Sequence, residues 1–154
     1  LAPTDINELM DGICRQMQEK NPSPDVQIMF TEKAEQCILN TDRVRLSQVI
    51  INFTNNAMKF TPKGSIQMGY RIEEEKGDIY FYVKDTGIGI PADKTDKVFE
   101  RFVKLNSFIK GTGLGLAICR IIVERLGGVI GVDSKEGEGS CFWFRIPIRE
   151  IIVK

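Results

Sequence analysis

The stretch from Asp42 to Gly64 limits the possible folds more than any other part of the chain. Asp42 is a good N-cap for a long helix, and Thr61-Pro62-Lys63-Gly64 stops that helix. At roughly 100° per residue, Leu46, Val49, Phe53, Ala57 and Phe60 form one apolar arc, and Asn52, Asn56 and Lys59 gather within about 60° of one another at its border. Such a helix must lay its stripe on another layer, and it then carries two amides and an amine to the edge of the contact. Amide oxygens are hard neutral ligands suited to Mg²⁺, which takes much of its coordination from water and substrate phosphates, and Lys59 adds a compact positive charge. The same asparagines could instead satisfy backbone groups at a helix end, with the lysine solvated; these residues alone leave both readings open.

The remaining elements supply the other layer. Thr4 or Asp5 caps a first helix to about Lys20, with Ile6, Leu9, Met10, Ile13 and Met17 at helical spacing, ended by Asn21-Pro22-Ser23-Pro24. Val26 to Phe30 and Cys37 to Leu39 read as short strands. Ser65 to Glu75 and Asp78 to Lys84 form a hairpin about Lys76-Gly77, and Val129 to Asp133 with Ser140 to Ile148 form another about Gly137-Glu138-Gly139. A short helix is expected from Pro91 to about Phe102, then a loop, then a helix from Thr112 to Leu126 closed by Gly127-Gly128. Strands outnumber helices and come mostly in hairpins. The expectation is therefore one α/β domain over 1–154, an α+β two-layer sandwich with helices on one face of a mixed sheet, and not a doubly wound parallel sheet.

Two further clusters bear on chemistry. Asp85-Thr86-Gly87-Ile88-Gly89-Ile90 follows a strand directly. A buried carboxylate there can accept a hydrogen bond from the adenine amino group but would repel the oxygen of guanine, and Gly87 and Gly89 would let the backbone turn close to the ring. Taken alone, this pattern is more often only a turn. Gly111-Thr112-Gly113-Leu114-Gly115-Leu116 opens the last helix, where freed N–H groups and the helix dipole favour a phosphate. A purely structural glycine loop is the alternative. No strand precedes it as a Rossmann site requires, and no Gly-Lys-Ser/Thr follows as in a Walker motif. Between the two clusters, Phe99 and Phe102 can anchor a short helix, and the stretch bearing Arg101, Lys104 and Lys110 can close over a ligand.

Composition narrows the field. The 21 basic and 21 acidic residues balance, so no general field attracts nucleic acid or anionic lipid, and any anion needs a local site. Cys14, Cys37, Cys119 and Cys141 are widely spaced among apolar neighbours and read as reduced, structural and intracellular thiols. Neither a signal peptide nor an apolar run of membrane-spanning length is present. Histidine is absent, which removes imidazole chemistry and any histidine phosphoacceptor from the chain itself.

In order, these segments resemble the catalytic and ATP-binding domain of sensor histidine kinases, in the ATPase superfamily that also holds DNA gyrase, heat-shock chaperones and mismatch-repair proteins. Asp42 to Val49 leading into Asn52 to Phe60 resembles the asparagine box and its approach. Asp85 to Gly89, Phe99 to Phe102 and Gly111 to Leu116 resemble the first glycine, phenylalanine and second glycine boxes, and Gly127 to Ile130 through Ser134, Gly137, Gly139, Ser140 and Pro147 matches as well. The resemblance implies the Bergerat-type ATP-binding fold, a mostly antiparallel mixed sheet against three helices.

It also implies roles. Asn56 would coordinate Mg²⁺ with Asn52 assisting, Lys59 would approach the phosphates, Phe60 would lie against the base, and Asp85 would bind the adenine amino group. Gly87, Gly89, Ile90, Phe102, Lys110, Gly111, Thr112, Gly113, Leu114, Gly115 and Leu116 would line the ATP site. Asn52 and Lys104 would act in phosphoryl transfer. Lys104 stands where many members carry arginine, and gives charge without a bidentate fork. Hydrolytic relatives usually have Glu at the position of Asn52 to act as base toward water; an amide cannot do so, which favours transfer to a histidine. The expected function is γ-phosphoryl transfer from Mg·ATP to a histidine on a separate dimerisation domain of the same cytoplasmic sensor, and onward to a response regulator receiver domain. A related serine kinase or ATPase, or a nucleotide-binding regulatory module, is the alternative. The chain is expected to be an excised, monomeric part of a dimeric parent and unable to autophosphorylate on histidine.

Overall fold

The computed structural model describes residues 1–90, 114–148 and 151–152. In chain order the elements are β1 (Ala2–Asp5), α1 (Ile6–Lys20), β2 (Val26–Glu32), β3 (Ile38–Thr41), α2 (Arg43–Phe60), β4 (Gly64–Glu73), β5 (Asp78–Asp85), α3 (Leu114–Arg125), β6 (Val129–Lys135), β7 (Gly139–Pro147) and β8 (Ile151–Ile152). Helix starts are set by side chains. Asp5 accepts a hydrogen bond from the Glu8 N–H at 3.2 Å, and Asp42 one from the Arg45 N–H at 3.1 Å, each satisfying an N–H that the first turn leaves without a partner. The expected short helix from Pro91 to Phe102 lies outside the described residues, as do the first two residues of the helix expected from Thr112.

The main sheet has the order β2-β4-β5-β7-β6. The pair β2 and β4 is parallel and the other pairs are antiparallel, so the sheet is mixed and mostly antiparallel. Helices α1, α2 and α3 pack on one face of it, as expected. One expectation needs correction: the strand near Cys37 does not join this sheet. It pairs antiparallel with β1 and β8 in a second, three-stranded sheet beside the first. The sequence suggests neither partner, because four residues with a proline and two isoleucines carry no alternation to read.

The core lies between the helices and the inner face of the main sheet. Leu46, Val49, Ile50, Phe53 and Ala57 of α2 are buried against Phe81, Phe142 and Phe144, with the Phe53 ring 5.5 Å from Phe142 and 6.0 Å from Phe144, and Phe81 stacked on Phe144 at 4.9 Å. Strand β7 shows why the layers form: Phe142, Phe144 and Ile146 point inward, while Cys141, Trp143 and Arg145 alternate outward. The outer face needs no second layer of helices. Arg71 and Arg145 lie over the Tyr80 ring, with guanidinium carbons 4.7 and 4.6 Å from its centroid, and Arg145 also pairs with Glu73 and Asp78. The four cysteines are free thiols; Cys14, Cys37 and Cys119 are buried and Cys141 is half-buried.

Candidate functional site

The site is built where the C-terminal half of α2 meets the segment after β5. Along α2, Asn52 and Asn56 are half-buried at the edge of the stripe, Lys59 is exposed and Phe60 is buried. The Asn56 amide nitrogen donates to the Asn52 carbonyl oxygen at 3.2 Å, one turn back. That of Asn52 reaches the Cys119 sulfur on α3 at 3.6 Å. The 3.6-residue period thus brings the two amides to one edge of the helix, as the sequence predicts.

Residues 85–90 are stitched to that helix and to the turn between β6 and β7. The Ile88 N–H donates to the Phe60 carbonyl at the end of α2 (2.9 Å), the Gly137 N–H to the Ile88 carbonyl (2.7 Å), and the Ile90 N–H to the Ser134 hydroxyl (2.7 Å). These bonds leave no room for side chains at two positions. A Cβ on Gly87 would lie 2.1 Å from the Phe60 carbonyl oxygen and 2.7 Å from Thr61 Oγ1, so the glycine is required by close approach. Gly89 has a φ of +75°, and a Cβ there would lie 2.2 Å from the Lys135 carbonyl oxygen. The segment reads as a turn in sequence and acts in the fold as the joint between three elements.

Asp85 ends β5 between Ile66 and Ser140 of the neighbouring strands and is only 2% exposed. Its Oδ1 accepts the Gly87 N–H at 2.9 Å and the Ser140 N–H at 3.3 Å. Its Oδ2 is buried and has no hydrogen-bond partner among the described residues, and the same holds for Thr61 Oγ1. Burial pushes the carboxyl pKa up; the two backbone N–H groups oppose that shift, and the Thr61 hydroxyl opposes it less, close enough to act on the charge while falling short of a hydrogen bond. A folded chain seldom leaves a buried carboxylate oxygen and a buried hydroxyl unpaired in one place, because each costs about 1–3 kcal/mol. The pair suits a ligand that presents N–H groups, and the exocyclic amine of adenine fits this donor and acceptor pattern.

The structure therefore joins the end of α2, at Phe60 and Thr61, to the segment that carries Asp85, Gly87, Gly89 and Ile90, and it places Lys59, Asn56 and Asn52 further back along the same helix. Ile90 is buried in the core cluster. Leu114 and Gly115 open α3, and Leu116 faces the core, 3% exposed. Phe102, Lys104, Lys110, Gly111, Thr112 and Gly113 lie outside the described residues. Sequence reasoning gives no site role to Thr61, which reads only as a helix stop, or to Cys119, which reads as one more buried thiol. It places Ser134 and Ser140 in the closing hairpin, but their bonds to Ile90 and Asp85 depend on strand register. Among the described residues, no group of three or more Asp, Glu, Cys or His side chains could hold a metal ion.

The family model for the histidine kinase-, DNA gyrase B- and HSP90-like ATPases matches residues 41–150. The chain belongs to that family. The autoinducer 2 sensor kinase/phosphatase LuxQ of Vibrio vulnificus is 41% identical over 122 residues, covering 74% of this chain and 14% of LuxQ. The circadian input-output histidine kinase CikA of Synechococcus elongatus is 35% identical over 159 residues, covering 99% of this chain and 21% of CikA. The chain thus spans a minor part of each of these relatives. Among solved structures, full-length ShkA in complex with AMPPNP superposes with a TM-score of 0.87 at 33% identity, over 96% of this chain and 31% of ShkA. The fold is that of histidine kinase ATPase domains.

Proposed function

We propose that this chain is the ATP-binding half of a protein-histidine kinase, presenting the γ-phosphoryl group of Mg·ATP to a histidine on a dimerisation domain of the same parent protein. The observation that carries the reading is the buried Asp85 Oδ2 beside Thr61 Oγ1, neither of which has a hydrogen-bond partner among the described residues. Asp85 would accept from the adenine amine, and the Gly87 approach to α2 holds its loop in place for this. Phe60 would support the base, and Lys59 would face the phosphates from the exposed side of α2. Asn56, with Asn52 beside it, would hold Mg²⁺ through amide oxygens; the ion supplies charge neutralisation on the phosphates.

The residues that would complete the site are Ile90, Phe102, Lys110 and the run from Gly111 to Leu116, with Lys104 offering a positive charge to the transferring group. Such catalysis is positioning and charge stabilisation, and the nucleophile comes from outside, since the chain contains no histidine. That the similar ShkA structure is a complex with AMPPNP supports an adenine nucleotide as the ligand here. The dimerisation domain, a response regulator receiver domain and a cytoplasmic setting follow from the same kinase reading. No helix among the described residues is long and apolar enough to cross a membrane.

The test is to incubate the chain with Mg²⁺, ATP labelled at the γ-phosphate and the parent's histidine-bearing dimerisation domain supplied in trans. Acid-labile, alkali-stable label on that domain, and none on this chain, is expected. Rapid ATP turnover without the acceptor, or label on a serine, would replace the kinase reading with that of an ATPase or serine kinase.

A further inference from the structure

Cys119 sits one turn into α3, fully buried against α2, and its sulfur meets two groups of that helix. It donates toward the Val49 carbonyl oxygen at 3.9 Å and accepts from the Asn52 amide nitrogen at 3.6 Å. The directions are coupled. A thiol has one proton, and once that proton faces Val49 the sulfur offers only lone pairs to Asn52, which selects the NH₂ branch of the amide. In Asn the oxygen and nitrogen branch from the same carbon, so fixing the nitrogen on one side fixes the oxygen on the other. Asn56 likewise has its nitrogen held, by the main-chain carbonyl of Asn52 at 3.2 Å. Two amides four residues apart thus turn their nitrogens to protein groups, the Cys119 sulfur and the Asn52 main-chain carbonyl.

We infer that Cys119 is a positioning residue for the metal site: its sulfur locks the flip of the Asn52 amide so that the oxygen, and not the nitrogen, meets the Mg²⁺ and phosphate side. The inference rests on the proposed reading of Asn52 as a metal ligand and adds a residue from a different helix that touches neither metal nor nucleotide. It also gives the contact of α2 with α3 a role beyond packing, since a valine would fill the space but could not choose between the two ends of an amide. Burial holds the thiol in its protonated form, with its pKa raised to about 12 although the Asn52 contact lowers it, so the donor and acceptor pattern is constant across neutral pH.

The experiment compares calorimetric affinities for a non-hydrolysable ATP analogue with and without Mg²⁺, in wild type, Cys119→Val, Cys119→Ser and Asn52→Ala. The quantity read is the gain in affinity that Mg²⁺ gives, which packing alone would not move. Cys119→Val should lose about three- to tenfold of that gain while metal-free affinity stays unchanged. Cys119→Ser, which keeps a donor and an acceptor, should stay within about twofold of wild type. On the Asn52→Ala background, Cys119→Val should have no further effect on the gain. If the valine variant lacks a cooperative thermal transition, Cys119→Ala takes its place with the same expectation. A full gain in the Val or Ala variant, beside a normal gain in wild type, overturns the role of Cys119 alone. No Mg²⁺-dependent gain in wild type removes the metal reading and this inference with it.

Discussion

Replacing Asp85 by Asn should separate binding from stability, and the two effects should have opposite signs. The side chain is 2% exposed, with Oδ1 committed to the Gly87 and Ser140 N–H groups and Oδ2 without a partner among the described residues. An Asn can keep its carbonyl on those two donors, which places NH₂ where Oδ2 was. The proposed acceptor for the adenine amine then becomes a donor facing a donor. Loss of a hydrogen bond to a charged group costs about 1.5–3 kcal/mol, or about 10- to 150-fold in affinity for an ATP analogue by calorimetry. Without nucleotide the change removes a buried charge and gives Thr61 Oγ1 a possible donor, so unfolding free energy should stay level or rise by about 1 kcal/mol, a shift in Tm of about 2–4 °C.

The pH dependence carries the same sign. Burial raises the folded-state pKa of Asp85 above the unfolded value near 3.9, so the native state binds the proton more tightly. Wild-type stability therefore loses this contribution as pH rises from about 4 through the folded pKa, and the Asn variant is spared that loss. Its advantage in Tm should be largest at neutral pH and vanish below about pH 4. A variant that binds normally, or one that loses about 2 kcal/mol or more of stability at neutral pH, would refute the argument, since Oδ2 would then be holding the fold and not waiting for a ligand.

Gly87→Ala should cost at least about 2 kcal/mol of stability by chemical denaturation and abolish nucleotide binding, because its Cβ falls 2.1 Å from the backbone oxygen of Phe60, which cannot yield as a flexible side chain would. Asn56→Ala should leave Mg²⁺-free nucleotide affinity within about twofold of wild type and remove most of the Mg²⁺-dependent gain, as removal of one ligand from a sparsely held ion requires; equal losses with and without the metal, seen by calorimetry, would assign Asn56 to the nucleotide instead.

How much of the fold and site is legible in the sequence depends on the range of the interaction concerned. The starts of α1 and α2 are local events, an Asp side chain meeting an N–H three residues on, and Asp5 and Asp42 announce them. The hairpins are nearly as local, and the structure has β4 with β5 and β6 with β7 where turn residues and strand patterns predict them. Strand β3 looks like any other strand, and its separation into a second sheet is set by β1 and β8, whose short sequences say nothing alone. In the proposed site, Asn52, Asn56 and Asp85 are the residues that the sequence singles out, by residue type and spacing. Thr61 and Cys119 are not: a threonine beside a proline reads as a helix end and a cysteine on an apolar face reads as packing, until folding brings one to Asp85 and the other to Asn52.

The central claim is that Asp85 and its surroundings form an adenine-selective nucleotide site. Calorimetric titration of the wild-type chain with non-hydrolysable analogues of ATP and GTP, each with Mg²⁺, tests it most directly. The adenine analogue should bind, and the guanine analogue, which sets an oxygen against the Asp85 carboxylate, should bind at least about tenfold more weakly. Equal affinities, or no binding of either analogue up to about millimolar concentration, would contradict it.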